Sequence, residues 1–102
     1  MFIAMNRFRV KLGSEDDFET IWRERETFLD AVPGFIEFRL LRGPEGDDHR
    51  LYASHSLWAS REAFEAWTQS DAFRKAHAQA GGRRDIYLGP PNFEGFEVIQ
   101  QG

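Results

Sequence analysis

Residues 51–80 read LYASHSLWASREAFEAWTQSDAFRKAHAQA, and the change of period inside this stretch decides the fold. From Leu51 to Trp58 the residues alternate as a strand does, with Leu51, Ala53, His55 and Leu57 on one face and Ser54 and Ser56 on the other. The spacing then turns helical. Ser60 is placed to cap a short helix carrying Phe64 and Trp67, and Ser70 to cap a second carrying Phe73, Ala76, His77 and Ala80. A strand followed by a helix broken in two is therefore expected here.

Upstream, residues 35–41 alternate again, with Ile36, Phe38 and Leu40 set against Phe35, Glu37, Arg39 and Leu41. The following RGPEGDDH supplies the residues of a hairpin turn. Before that, Ser14 with Asp17 three residues on resembles a capping box, and Glu15 and Asp16 suit the positive end of a helix dipole. The apolar residues Phe18, Ile21, Trp22, Phe28, Leu29 and Val32 predict one helix from there to Pro33-Gly34, with its opposite side charged and solvated. At the start, residues 2–10 alternate once more: Phe2, Ala4, Phe8 and Val10 share a face with Asn6, and Ile3, Met5, Arg7 and Arg9 share the other. Downstream, Gly81-Gly82, Arg83-Arg84 and Gly89-Pro90-Pro91 mark a loop before a last strand near Phe93 to Ile99.

Strand, helix, strand, strand, helix, strand is the order of an α+β, ferredoxin-like split βαβ domain, with an antiparallel sheet and helices on one face. At 102 residues, one domain spanning 1–102 is expected. The uncovered sheet face carries Ile3, Met5, Phe35 and Leu41 among charges, too apolar for water, so a homodimer packed through that face is expected.

Composition narrows the function. A net charge of -4 and pI near 5.3 offer no positive field for nucleic acid or an anionic membrane. There is no cysteine, hence no disulfide, thiolate metal site or cysteine nucleophile. The start lacks a basic segment followed by an apolar run, and no stretch approaches the ~20 apolar residues of a membrane span, so a cytoplasmic protein is expected. Ten Phe, three Trp and two Tyr are a heavy aromatic load for this length, suited to an interface or ligand pocket as well as a core.

Two polar residues stand on apolar faces. Asn6 would lie between sheet and helix, where a buried amide needs a backbone group, a water or a ligand. His77 follows Phe73 by four residues and should point inward, either as a core histidine or as a metal ligand. His49 lies in an acidic turn. No HExxH, paired-carboxylate or Gly-rich phosphate motif is present, and the strand puts Ser54 and Ser56 on the face opposite His55, which disfavours a hydrolytic pair.

The segment LWASREAFEAWTQSDAFRKAH (57–77), with AMNRFRV (4–10) and FEGFEVI (93–99), resembles the IsdG-type haem-degrading monooxygenases. These form a branch of the antibiotic biosynthesis monooxygenase group of dimeric α/β-barrel proteins. The resemblance spans nearly the whole chain, and it is the combination of Asn6, Trp67 and His77 that makes it specific. It implies a dimeric α/β barrel with haem as both cofactor and substrate. His77 would bind the haem iron, Asn6 would donate a hydrogen bond to the oxygen activated there, and Trp67 would press the porphyrin out of plane. Phe64 and Phe73 would complete the haem-binding surface, and Arg83 and Arg84 would meet the haem propionates. The reaction implied opens the porphyrin and releases iron, using O2 and electrons from an external donor such as an unidentified reductase. Three other readings stay open: a cofactor-independent monooxygenase of an aromatic polyketide or quinol, a non-catalytic haem-binding protein, and a dimeric ligand-binding module with a structural histidine.

Overall fold

The computed structural model describes residues 1–25, 28–79 and 84–102, giving the backbone alone at 76–79 and 84. Its elements are β1 (Phe2–Lys11), α1 (Glu15–Glu24), β2 (Phe35–Glu45), β3 (His49–Trp58), α2 (Arg61–Thr68), α3 (Asp71–Gln79) and β4 (Asn92–Glu97), with short 3-10 turns at Leu29–Ala31 and Arg84–Ile86. The strands form one antiparallel sheet in the order β2-β3-β1-β4, the ferredoxin-like arrangement expected, with the helices on one face.

The break between the second and third helices is built by its serines. Ser60 Oγ accepts from the Ala63 amide at 3.1 Å, starting α2. Ser70 accepts from the Phe73 amide at 3.2 Å while donating to the Trp67 carbonyl at 2.6 Å, so one hydroxyl ends α2 and begins α3. At α1 the cap differs from expectation. Ser14 makes no side-chain cap; instead Glu15 reaches back to the Gly13 amide at 2.6 Å, and the Ser14 carbonyl accepts the first helical bond from Phe18.

Helix α1 also ends earlier than periodicity implies. Arg25 already has extended dihedrals (φ −78°, ψ 130°), and Leu29 is buried from a 3-10 turn. Phe28, which the helical pattern would bury, sits at φ 59° and is 38% exposed. In β2 a bulge at Ile36 corrects the expected facing of Phe35. Phe35 stands opposite Trp58 and Glu37 opposite Leu57, so the extra residue turns Phe35 toward the helices, where its ring meets Trp58 at 5.6 Å. A second irregularity, between Arg42 and Glu45, carries Pro44 at a point where an interior strand position would forbid it.

The helix-facing side of β1 carries two separate cores. Phe2 and Ala4 join Trp58 and Leu29 at one end; Val10 joins Phe18, Tyr52 and Ile86 at the other. Fully burying one such large apolar side chain contributes ~1.5–3 kcal/mol, so each cluster is a substantial anchor. The second is pinned by a polar knot: Arg42 grips both carboxylate oxygens of Glu19 (2.7 and 2.8 Å), and the buried Tyr52 hydroxyl donates to the same carboxylate at 2.5 Å. Asn6 lies between the two cores, where the apolar alternation of β1 is interrupted.

Candidate functional site

At that interruption the helices stand off the sheet and leave a cavity of about 910 Å3. This lies toward the upper end of the ~300–1,000 Å3 usual for small-molecule and cofactor sites. Its floor is sheet: Ala4, Asn6 and Phe8 from β1, with Ser54 and Ser56 from β3. Register explains this grouping. Asn6 pairs with Ser54 and Ala4 with Ser56, and directly opposed residues project to the same side of a sheet.

One wall is α1, through Ile21, Trp22 and the chain that leaves it at Arg25. Trp22 is fixed by rings on both strands beneath it, stacked on Phe38 (5.8 Å, 14°) and edge-on to Phe8 (5.8 Å, 64°). The facing wall is the broken helix, through Phe64, Trp67 and Phe73. Trp67 is held at 5.3 Å from Trp58 and 4.9 Å from Phe73, the latter edge-on at 84°. Aromatic pairs of this geometry are worth ~0.5–1.5 kcal/mol each beyond area burial, so the indole is positioned firmly rather than left to swing. Phe93 of β4, stacked on Phe64 at 5.6 Å, and the Gly89-Pro90-Pro91 segment complete the enclosure.

Sequence reasoning placed Asn6, Trp67, Phe64 and Phe73 together, and all four line this one cavity. Position 77 falls one turn after Phe73 on the same face of α3, but the His77 side chain lies outside the described residues. Arg83 also lies outside them, as does the side chain of Arg84. His49 stands at the start of β3 against Asp48, 2.7 Å away. His55 lies on the sheet face away from the helices, and no group of three or more His, Asp or Glu able to hold a metal ion occurs among the described residues. No helix among them is long and apolar enough to cross a membrane.

Two features of the cavity escaped the sequence. The first is Arg25. The sequence reading gave it no role, yet it lines the cavity with its guanidinium 4.4 Å over the Trp22 ring. Its Nε is buried without a hydrogen-bond partner among the described residues, and burial pulls its pKa below the usual arginine value. It is the one Arg or Lys among the described lining residues, and it faces Tyr87, whose phenol is pushed up by burial. A signal existed: Arg25 follows Trp22 by three residues and so sits on the apolar stripe, not opposite it. The second feature is the state of the floor. The Asn6 amide makes no hydrogen bond with any described residue, whereas the Ser56 hydroxyl is engaged by Ala4 O at 3.3 Å and Trp58 Nε1 at 2.9 Å.

Among the described residues the arrangement is thus a large, mostly apolar slot between sheet and broken helix, with a free amide on its floor, an indole in its wall and one cation, Arg25, at one end. A flat, largely apolar molecule bearing an acidic group matches it in shape and charge.

Comparison with known proteins agrees. Residues 1–79 match the family model for antibiotic biosynthesis monooxygenases. A mycobilin-producing heme oxygenase of Mycobacterium tuberculosis is 30% identical over 97 residues, covering 95% of this chain and 88% of its own. A heme-degrading monooxygenase of Bacillus thuringiensis is 32% identical over 60 residues, 59% of this chain and 56% of its own. Among solved structures, MhuD of Mycobacterium tuberculosis with two hemes in its active site superposes with a TM-score of 0.75 at 29% identity, covering 100% of this chain and 99% of that one. An MhuD point variant with two manganese protoporphyrin IX molecules per active site gives 0.79 at 26% identity, covering 100% and 98%. The chain belongs to the antibiotic biosynthesis monooxygenase family, in the branch that contains the IsdG- and MhuD-type haem-degrading monooxygenases.

Proposed function

We propose that the protein is a haem-degrading monooxygenase: it binds haem in the cavity between sheet and broken helix and opens the porphyrin with O2 and electrons from an external donor, releasing iron. The observation that carries this reading is the unpartnered Asn6 amide on the floor of a mostly apolar cavity of about 910 Å3, with Trp67 held rigidly in its wall. The amide is half-buried and open to the cavity, so a ligand there can take its hydrogen bonds. The residues present therefore fit a porphyrin.

Haem, when bound, supplies the redox-active iron at which O2 is activated and is itself the molecule oxidised. The chain's own residues have distinct tasks. His77, on the helix face that continues from Phe73, is assigned as the iron ligand, presenting a neutral imidazole nitrogen. Asn6 would approach from the sheet and donate its amide hydrogens to the ligand on that side, orienting it in a mostly apolar pocket. Trp67, held between Trp58 and Phe73, would bear on the porphyrin and resist displacement by it. Arg25 would meet a haem carboxylate, which would pair an Nε that has no hydrogen-bond partner among the described residues. Phe64 and Phe73 exclude water from the porphyrin surface. The single domain 1–102 is completed as a homodimer through the opposite sheet face, where Ile3, Leu51, Leu57 and Phe96 share one side of the sheet.

The test is a titration with haemin of the parent and of His77→Ala. The parent is expected to give a saturable Soret shift, and His77→Ala to lose the axial-ligand spectrum and at least tenfold in affinity. Identical spectra and affinities for the two would remove His77 from the site.

A further inference from the structure

Ser54 stands directly opposite Asn6 on the adjacent strand and lines the same cavity, yet neither the composition nor the family resemblance assigns it anything. It is only 7% exposed, the one polar residue among the buried core positions described. Its hydroxyl makes no hydrogen bond with any described residue, in contrast to Ser56 two positions on, whose hydroxyl is already used within the protein. The hydroxyl is not sealed off in the core but opens to the cavity that Ser54 lines, so a molecule in that space can reach it.

We propose that Ser54 is a second ligand-facing hydrogen-bonding group: together Ser54 and Asn6 hold one water molecule, or a small ligand that displaces it, against the sheet floor. This rests on the haem reading of the same cavity. Directly opposed residues of an antiparallel pair have Cβ atoms ~4.5–5.5 Å apart, a span one water can bridge from the short Ser hydroxyl to the longer Asn amide. The chemistry of the two is complementary. The Asn6 NH2 only donates, whereas a serine hydroxyl donates or accepts, so the pair can hold either a neutral water or an anion. A buried water is kept by ~2–4 such bonds, and among the described floor residues Asn6 and Ser54 are the polar side chains without a bond inside the protein.

The test reads the small-ligand site of the ferric haem complex, not turnover. Parent, Ser54→Ala and Ser54→Thr are loaded with haemin; the midpoint pH of the acid–alkaline transition and the azide affinity are measured by absorption. Losing one net hydrogen bond predicts an azide affinity roughly two- to tenfold weaker in Ser54→Ala, and a transition midpoint higher by about 0.4–1 pH unit. Ser54→Thr, which keeps the hydroxyl, is expected to return both toward the parent. If Ser54→Ala binds haemin and shows the parent's midpoint and azide affinity, Ser54 is packing alone. A parent that gives no Soret shift would instead overturn the haem reading, and this inference with it.

Discussion

Replacing Arg25 with methionine should raise the stability of the haem-free protein while weakening haem binding. The opposite signs follow from its surroundings. In the protein alone the guanidinium is half-buried over Trp22, its Nε unpartnered, its pKa lowered by desolvation, with no carboxylate beside it among the described residues. An unsatisfied buried donor costs ~1–3 kcal/mol, offset by ~0.5–2 kcal/mol of cation–π attraction to the indole, so the net gain on removal is about 1 kcal/mol. Methionine keeps an unbranched apolar stem against Trp22. For a domain of this size ~1 kcal/mol corresponds to ~4–8 °C in Tm. In the proposed complex the same side chain would bond a haem carboxylate, and a hydrogen bond between charged groups is worth ~1.5–3 kcal/mol, so the haemin Kd should rise roughly ten- to 150-fold. Thermal unfolding and Soret titration measure the two effects separately. Haemin dimethyl ester, whose carboxylates are blocked, should bind parent and Arg25→Met alike. Equal haemin affinity in parent and variant, or a fall in stability together with affinity, would refute the assignment of Arg25 as a carboxylate anchor.

Gly34 is at φ +84°, and a Cβ there would overlap that of Ala63 on α2, so Gly34→Ala should cost ~2–4 kcal/mol from left-handed strain plus overpacking, read as a lower urea midpoint. A loss under about 1 kcal/mol would mean that α2 does not approach the β2 entry so closely. Glu19 is held below its ordinary pKa of 4.5, first by the Tyr52 hydroxyl and then by Arg42. Its folded pKa is depressed, so its contribution is present above pH 4.5 and is lost as pH falls through the lower native value. Glu19→Gln should therefore melt lower than the parent at pH 7 and converge with it as the pH falls below 4.5; parallel Tm curves would exclude this linkage.

Which residues are buried was legible in the sequence; which backbone buries them was less so. Leu29 and Val32 pack toward the core as periodicity implies, but from a 3-10 turn and the extended residue after it, because the 18-21-22-25-28-29-32 spacing continues past the true helix end and no Gly or Pro stands between Gly13 and Pro33. The same continuity hid Arg25, a charge on the apolar stripe that reads as noise until the cavity beside it is seen. Phe35 was assigned to the wrong sheet face because strict alternation has no sign for a bulge at Ile36. By contrast, the broken helix was visible in Ser60 and Ser70, whose caps form as expected. Asn6 was visible as the one polar residue in an apolar alternation, and the cavity lies where that alternation fails. Ser54 was set aside as half of a poor hydrolytic pair with His55; its face of β3 was read correctly, but the cavity above that face was not foreseeable from one strand.

Haem turnover is tested most directly by giving the haem-loaded protein ascorbate in air with a ferrous chelator present, following the Soret band and the chelated iron together. Loss of the Soret band with release of close to one iron per haem is the predicted result. A Soret band that persists through many minutes of reduction, with the iron retained, would contradict it and leave a protein that holds haem without degrading it.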